Sequence, residues 1–305
     1  MPNGKSKHDI GILKKLLTLI SIYKIKFMSS RRNFIQTSAI ALSASSLLPF
    51  AGAANTMRNK LMMKKEFLQT GMAGYSFVNY NIDQTIAMMN RVGISNLSVK
   101  DFHLPLNSSQ ETIDEVLAKF KSGGIQVYTV GVIYMKTEAE VDRAFDYAKR
   151  VGVNLIIGVP GYDLLQYTEK KVKEYNIRMA IHNHGPEDKL YPAPKDVYDR
   201  ISKMDKRMGL CLDIGHAFRA GAKPEKAVTD YAARIFDLHI KDVTAPKADG
   251  KAIELGRGAI DFVALIQALR KIQYKGVCSI EFEKDMKDAL PGIAESAGYL
   301  KGVMS

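Results

Sequence analysis

From residue 71 to residue 301 the chain alternates eight times between a short apolar run of strand character and a longer amphipathic run. The strand-like runs lie near 71–77, 94–100, 125–131, 153–158, 177–183, 208–213, 234–240 and 277–282. Helix-like stretches follow each one, at 82–92, 109–122, 137–150, 163–175, 194–203, 224–232, 260–271 and 288–301. A helix between two strands returns the chain to the same edge, so successive strands run parallel. Eight such units predict an α/β fold, a single (β/α)8 TIM barrel, with its loops of chemistry at the C-terminal strand ends. An open doubly wound sheet more often has five or six strands and a glycine-rich phosphate turn after the first. Gly71-Met72-Ala73-Gly74 does not fit that fingerprint.

The barrel is expected to occupy 55–305, preceded by an N-terminal extension and export signal over 1–54. Ser30-Arg31-Arg32-Asn33-Phe34-Ile35 has the form of a twin-arginine signal. An uncharged stretch from Asn33 to Met57 follows, with a mildly apolar Ile40–Phe50, and Ala51-Gly52-Ala53 offers a small-x-small cleavage pattern. The Ser-rich run with Pro49 is weakly hydrophobic for a span, so no stable membrane insertion is expected after processing. Residues 1–27 would make an unusually long basic leader, and Met28 is read as the true start. The expected location is periplasmic or otherwise exported.

Charge is read against that boundary. Residues 1–54 carry eight Lys/Arg and one Asp and supply +7 of the formal +12, leaving a mild +5. A basic excess that owes so much to a signal is poor evidence for a nucleic-acid partner, and none is expected. The two cysteines, Cys211 and Cys278, each sit inside an apolar run. By strand alternation Cys211 shares the face of Asp213, while Cys278 opposes that of Glu281, so two free thiols are expected.

Four polar patches close the last four strand-like runs: AIHNHGPE at 180–187, CLDIGH at 211–216, DLHIKD at 237–242 and SIEFE at 279–283. Alternation puts His182 with His184, Cys211 with Asp213, Asp237 with His239 and Lys241, and Ser279 with Glu281 and Glu283. A parallel strand normally buries both faces, so polar parity at four successive ends is costly unless it serves a site. Asp213, His239 and Glu281 are the strongest ligand candidates for one divalent ion, Mn²⁺, Co²⁺, Mg²⁺ or Zn²⁺. His182, His184 and Glu187 offer a further ligand, a proton-transfer group and a grip on a substrate hydroxyl. Lys241 and Lys100 lie at strand ends where they can act in proton transfer or bind an enolate oxygen. His216 is placed to cover the substrate, and His103, in Lys100-Asp101-Phe102-His103, is a weaker contact. The longest irregular segment, 243–259, reads as a mobile flap, with Asp261 opening the next helix.

The motifs KDFHLP, HNHGPE, CLDIGH, DLHIKD, LGRGAID and SIEFE, in that order, resemble the xylose-isomerase-like barrel superfamily, the sugar (phosphate) isomerase/epimerase group. The resemblance covers nearly all of 65–303. In the epimerase branch the metal is held by Glu, Asp, His and Glu from strands five to eight. The resemblance implies Asp213, His239 and Glu281 as the last three, with Glu281 also moving a proton. His182 stands where the family has glutamate. It is therefore assigned with His216 and His103 to substrate, with Glu187 as replacement ligand and His184, Lys241 and Lys100 as catalytic partners. The HNH…E form is closer to the inosose-dehydratase-like and keto-glycoside-cleaving branches.

The resemblance thus implies a metal-dependent sugar isomerase/epimerase. It would take a proton from the carbon beside a carbonyl and pass through an enediolate that the bound cation stabilises. A lyase or dehydratase that expels the neighbouring group is the alternative, and a non-catalytic exported sugar-binding protein is a third. The partner is a small carbohydrate. Export favours a neutral sugar or keto-sugar over a sugar phosphate, and a homo-oligomer is allowed.

Overall fold

The computed structural model describes residues 68–305. The expected signal at 1–54 and the domain start at 55 lie outside the described residues. In chain order the elements are β1 (Gln69–Ala73), α1 (Ile82–Val92), β2 (Asn96–Val99), α2 (Gln110–Ser122) and β3 (Gln126–Met135). Then come α3 (Glu138–Val151), β4 (Leu155–Pro160), α4 (Leu165–Tyr175), β5 (Arg178–His182), α5 (Pro194–Ile201) and β6 (Met208–Asp213). The chain ends with α6 (Ile214–Arg219), α7 (Pro224–Asp230), β7 (Ile235–Ile240), a ribbon of β8 (Asp242–Val243) and β9 (Ala252–Ile253), α8 (Phe262–Lys271), β10 (Val277–Ile280) and α9 (Leu290–Met304).

Eight parallel strands close in the order β1-β10-β7-β6-β5-β4-β3-β2, so the eightfold alternation forms one closed barrel. Local chemistry sets the crossings. Asn81 and Gln84 form a reciprocal capping box on α1, and Ser109, Thr137 and Asp261 cap α2, α3 and α8. Each side-chain oxygen satisfies a backbone N–H that the first helical turn leaves without a partner.

Strand alternation divides the core. Outward residues such as Ile156, Met179, Leu210 and Cys278 pack under the helices in one continuous cluster. Inward residues Leu155, Ile157, Ala180 and Cys211 form a small apolar plug inside the barrel. The two cysteines therefore lie on opposite sides of the wall, both buried and both free. Beside the plug the interior is polar. The Tyr128 hydroxyl donates to the Asp237 carboxylate at 2.9 and 3.1 Å and sits 2.6 Å from Ser279 Oγ.

The segment expected to be a mobile flap is instead a tethered ribbon. β8 and β9 pair antiparallel, with Asp242 opposite Ile253. The buried Asp242 carboxylate accepts from the backbone N–H of Val243, Gly256, Gly258 and Ile260. Gly258 permits this approach, because a Cβ there would fall 2.2 Å from Asp242 Oδ1. Among the described residues no helix is long and apolar enough to cross a membrane.

Candidate active site and metal centre

At the C-terminal ends of the strands a cavity of about 260 Å³ is lined by His182, His239 and Glu281, and by Tyr75, Lys100, Tyr134, His184, His216 and Glu283. Register brings these ends together. Asp213 on β6 is level with His239 on β7, and Ser279 on β10 is level with that same histidine, so Glu281 lies two residues higher on the same face. Asn183 adds a clamp: its Nδ2 donates to the Asp213 carbonyl at 3.0 Å, and its Oδ1 accepts from Asp213 N at 3.1 Å. This fixes the end of β5 against the end of β6. Gly185, at φ +94, then turns the chain away, where a Cβ would stand 3.1 Å from His216 Nδ1.

His182, Asp213, His239 and Glu281 each present a ligand atom within 4.8 Å of the others, and all four are buried. His182 Nε2 is 2.9 Å from His239 Nδ1 and 3.7 Å from Asp213 Oδ2, and His239 Nδ1 is 3.1 Å from Glu281 Oε2. Asp213 Oδ1 caps α6 by accepting from His216 N at 2.8 Å, while Oδ2 makes no hydrogen bond. Lys241, almost wholly buried, places Nζ 3.3 Å from Asp213, 3.0 Å from Glu281 and 2.9 Å from Glu283.

These contacts set the charges. Burial alone would raise the Asp213 carboxyl, but His216 and Lys241 hold it well below the usual carboxylate range. Glu281 is likewise held down against burial by His239 and Lys241. Burial opposes charge on His239, and Cys211 and Glu281 outweigh it, so this imidazole is raised. Burial keeps His182 neutral, lowers His184 to about 2 and lowers His216 to about 4. The centre therefore combines ionised carboxylates, a His239 imidazole that favours its proton and a His182 imidazole kept neutral, in a dry setting.

That donor set fits a divalent cation. Asp213 Oδ2, His182 Nδ1 and His239 Nε2 are buried without hydrogen-bond partners, a costly state that a ligand at the centre relieves for the carboxylate. Two carboxylate and two imidazole donors suit Mn²⁺, Co²⁺ or Zn²⁺ better than Mg²⁺, which prefers oxygen.

The other sequence-derived residues fall in three places. Lys100 reaches the cavity and donates to the Val132 carbonyl at 2.7 Å. His184 and His216 line the cavity. Glu187, on the loop after β5, does not join the ligand cluster; its mostly exposed carboxylate pairs with Arg219 of α6, and His182 fills the strand-five place. His103 is also away from the cavity, buried with Nε2 2.7 Å from the Tyr80 carbonyl and 3.3 Å from Thr85 Oγ1. Both lie four or more residues past their strands, His103 after Val99 and Glu187 after His182, where the loop no longer follows the strand direction.

Three residues without an assigned role in the sequence reading join the site. Tyr134 Oη is 2.8 Å from His184 Nε2, and His184 Nδ1 is 3.7 Å from Asp188. Glu283 shares the Glu281 face, which alternation in SIEFE already displays. Asn183 lies between two histidines that draw the eye first.

The sequence model of the family described as xylose isomerase-like TIM barrel matches residues 98–303. The rhizopine catabolism protein MocC of Rhizobium meliloti is 26% identical over 137 residues, 40% of this chain and 42% of that protein. Inosose dehydratase of Histophilus somni is 28% identical over 152 residues, 44% of this chain and 49% of that enzyme. The chain thus matches less than half the length of these curated relatives. Among solved structures, the IolI protein with a zinc atom superposes with TM-score 0.66 at 17% identity, covering 78% of this chain and 98% of IolI. The 3-keto-D-glucoside 4-epimerase YcjR of E. coli gives 0.62 at 17% identity, covering 77% and 99%. At that identity the two superpositions speak for the fold.

Proposed function

The chain belongs to the xylose isomerase-like TIM barrel family, and from that premise we propose that it is a metal-dependent enzyme of the sugar isomerase/epimerase type. Its substrate is a neutral sugar or keto-sugar, and its first step is removal of a proton from the carbon beside a carbonyl. One observation carries this reading: four ligand atoms from the ends of β5, β6, β7 and β10 converge at the floor of a cavity whose walls hold proton-carrying groups.

His182, Asp213, His239 and Glu281 would hold the ion, which supplies a Lewis acid for charge developing on the substrate carbonyl oxygen. The chain's own groups do the rest. Glu281, ionised and engaged through Oε2 by His239 and Lys241, is the base for the carbon-bound proton. Lys241 keeps the three surrounding carboxylates in place and limits their mutual repulsion. Lys100 presents an ammonium to a substrate oxygen from the β2 side. On the β3–β5 side Tyr134 and His184 form a pair that can give a proton to oxygen or take one from it.

Elimination is the second reading, and His182 favours it. With a histidine in the strand-five place, the site lacks a second carboxylate there to return a proton to carbon. The Tyr134–His184 pair instead suits protonation of a leaving oxygen. The 28% identity to an inosose dehydratase agrees with that chemistry. Export by the twin-arginine route remains part of the proposal, testable by locating the mature chain in cell fractions.

The test begins with bound metal in the full-length protein, measured by elemental analysis beside Asp213→Ala and Glu281→Ala. About one divalent ion per chain, lost in both variants, supports the site. Incubation with keto-sugars and their glycosides then separates the reactions: isomerisation conserves substrate mass, and elimination releases water or an aglycone. Sugar binding with neither metal nor turnover would overturn the enzyme reading in favour of a binding protein.

A further inference from the structure

The imidazoles of His182 and His239 have a second potential ligand beneath them. Cys211 is level with His182 in the β5–β6 register and lies two residues below Asp213 on the same inward face. Ligand atoms of His182, Cys211 and His239 lie within 4.8 Å of one another, and all three residues are buried. His182 Nδ1 and His239 Nε2 make no hydrogen bond. The thiol is free and packs with Leu155, Ile157 and Ala180 in the dry plug. A small apolar residue would fill the same space. It would not account for a sulfur set beside two imidazoles that each keep a nitrogen without a partner.

We propose that His182, Cys211 and His239 form a second, inner metal position for a thiophilic ion of low coordination number, such as Zn²⁺ or Cd²⁺. The donor chemistry separates it from the upper set. Asp213 and Glu281 supply hard oxygens that suit Mn²⁺ and other oxygen-preferring ions, whereas a thiolate with two imidazoles selects softer ones. Metal–sulfur and metal–nitrogen bonds of about 2.3 and 2.0 Å set donors roughly 3.5–4 Å apart, inside the 4.8 Å within which these ligand atoms lie. Binding forms a metal–sulfur bond and releases the Cys211 thiol proton to solvent. Because both imidazoles are shared, the inner and upper positions exclude one another, and a thiophilic ion acts as an inhibitor of the upper centre. The inner trio requires neither Asp213 nor Glu281, so it stands apart from the catalytic proposal.

The experiment is a titration of metal-free full-length protein with Cd²⁺, and separately with Co²⁺, followed by near-ultraviolet absorption and equilibrium dialysis. A thiolate-to-metal charge-transfer band is expected at one ion per chain. It should survive Cys278→Ser, whose sulfur lies outside the barrel wall, and vanish in Cys211→Ser. It should also survive in Asp213→Asn/Glu281→Gln, where the upper carboxylates are gone. Excess Cd²⁺ added to Mn²⁺-loaded protein should release the Mn²⁺ rather than fill a second site. Bound ion without the band would overturn the inner position while leaving the upper one intact. A band that persists in Cys211→Ser would overturn it as well. Failure to bind any of these ions would overturn both. Should the double variant fail to fold by circular dichroism, the two single cysteine variants decide the matter.

Discussion

Nε2 of His182 stands 2.9 Å from Nδ1 of His239, so these two buried nitrogens share a single proton. Two lone pairs at that distance would repel, and two N–H groups would clash. The structure resolves this with His239 raised as donor and His182 kept neutral by burial as acceptor. A metal ion needs a lone pair from each ring, so the second proton that the raised His239 holds must leave to solvent on loading. Calorimetric titration with Mn²⁺ in buffers of different ionisation enthalpy is expected to show about one proton or more released per ion. A binding enthalpy independent of the buffer would show that loading discharges no imidazolium at His239.

Asp213 has two tasks that substitution can separate. Oδ1 caps α6, and Oδ2 offers charge to the centre beside Lys241. Asp213→Ala removes both and leaves the buried ammonium with one fewer partner. The expected cost is about 3–5 kcal/mol in denaturant unfolding, with loss of metal. Asp213→Asn keeps an oxygen for the cap and is expected to recover part of that stability while still binding metal poorly. Equal stability of the two variants would show that the cap contributes nothing.

Much of this arrangement is legible in the chain because strand alternation is strict. The inward set of Cys211, Asp213, His239, Lys241 and Glu281 follows from counting by twos, as does the outward position of Cys278. Counting fails where strands end. Glu187 and His103 look equally chemical in sequence, yet each lies four or more residues past its strand, where loop geometry decides direction. Tyr134 was hidden for the opposite reason. The apolar run suggested an end near residue 131, but β3 continues to Met135, with a shift in its register to β4 between Val130 and Ile133. The pairing of Tyr134 with His184 spans fifty residues and depends on that extension. Asp242 reads in sequence as one more polar residue of a strand-end patch, and its role emerges only when four backbone amides, three of them 14 to 18 residues on, close around it.

Asp242 is the test of the tethered ribbon. Its carboxylate accepts from four backbone amides between Val243 and Ile260. Asp242→Ala strands those donors in a mostly dry setting, at an expected cost of roughly 3–5 kcal/mol after partial rehydration. Hydrogen exchange should show the loss concentrated at Gly256, Gly258 and Ile260, with β6 and β7 still protected. Uniformly faster exchange would mean that the whole barrel depends on this carboxylate.

Tyr134 offers the sharpest reading of the reaction itself. It is about half exposed, so Tyr134→Phe removes one hydroxyl at little cost to the fold. Its partner His184 is lowered to about 2, first by burial and then by His182 and His216, and so accepts a hydrogen bond rather than carrying charge. If the pair moves a proton during turnover, kcat should fall roughly 100-fold or more, with KM changed far less. The step affected depends on the reaction. In an elimination, the variant should still exchange the carbon-bound proton with deuterated water while failing to release the leaving group, because Glu281 remains. In an isomerisation that uses Tyr134 to move the oxygen-bound proton, exchange and product formation should fall together. Unchanged kcat on the keto-sugar or glycoside that wild type converts would remove Tyr134 from the mechanism and leave Glu281 and Lys100 as the groups to test next.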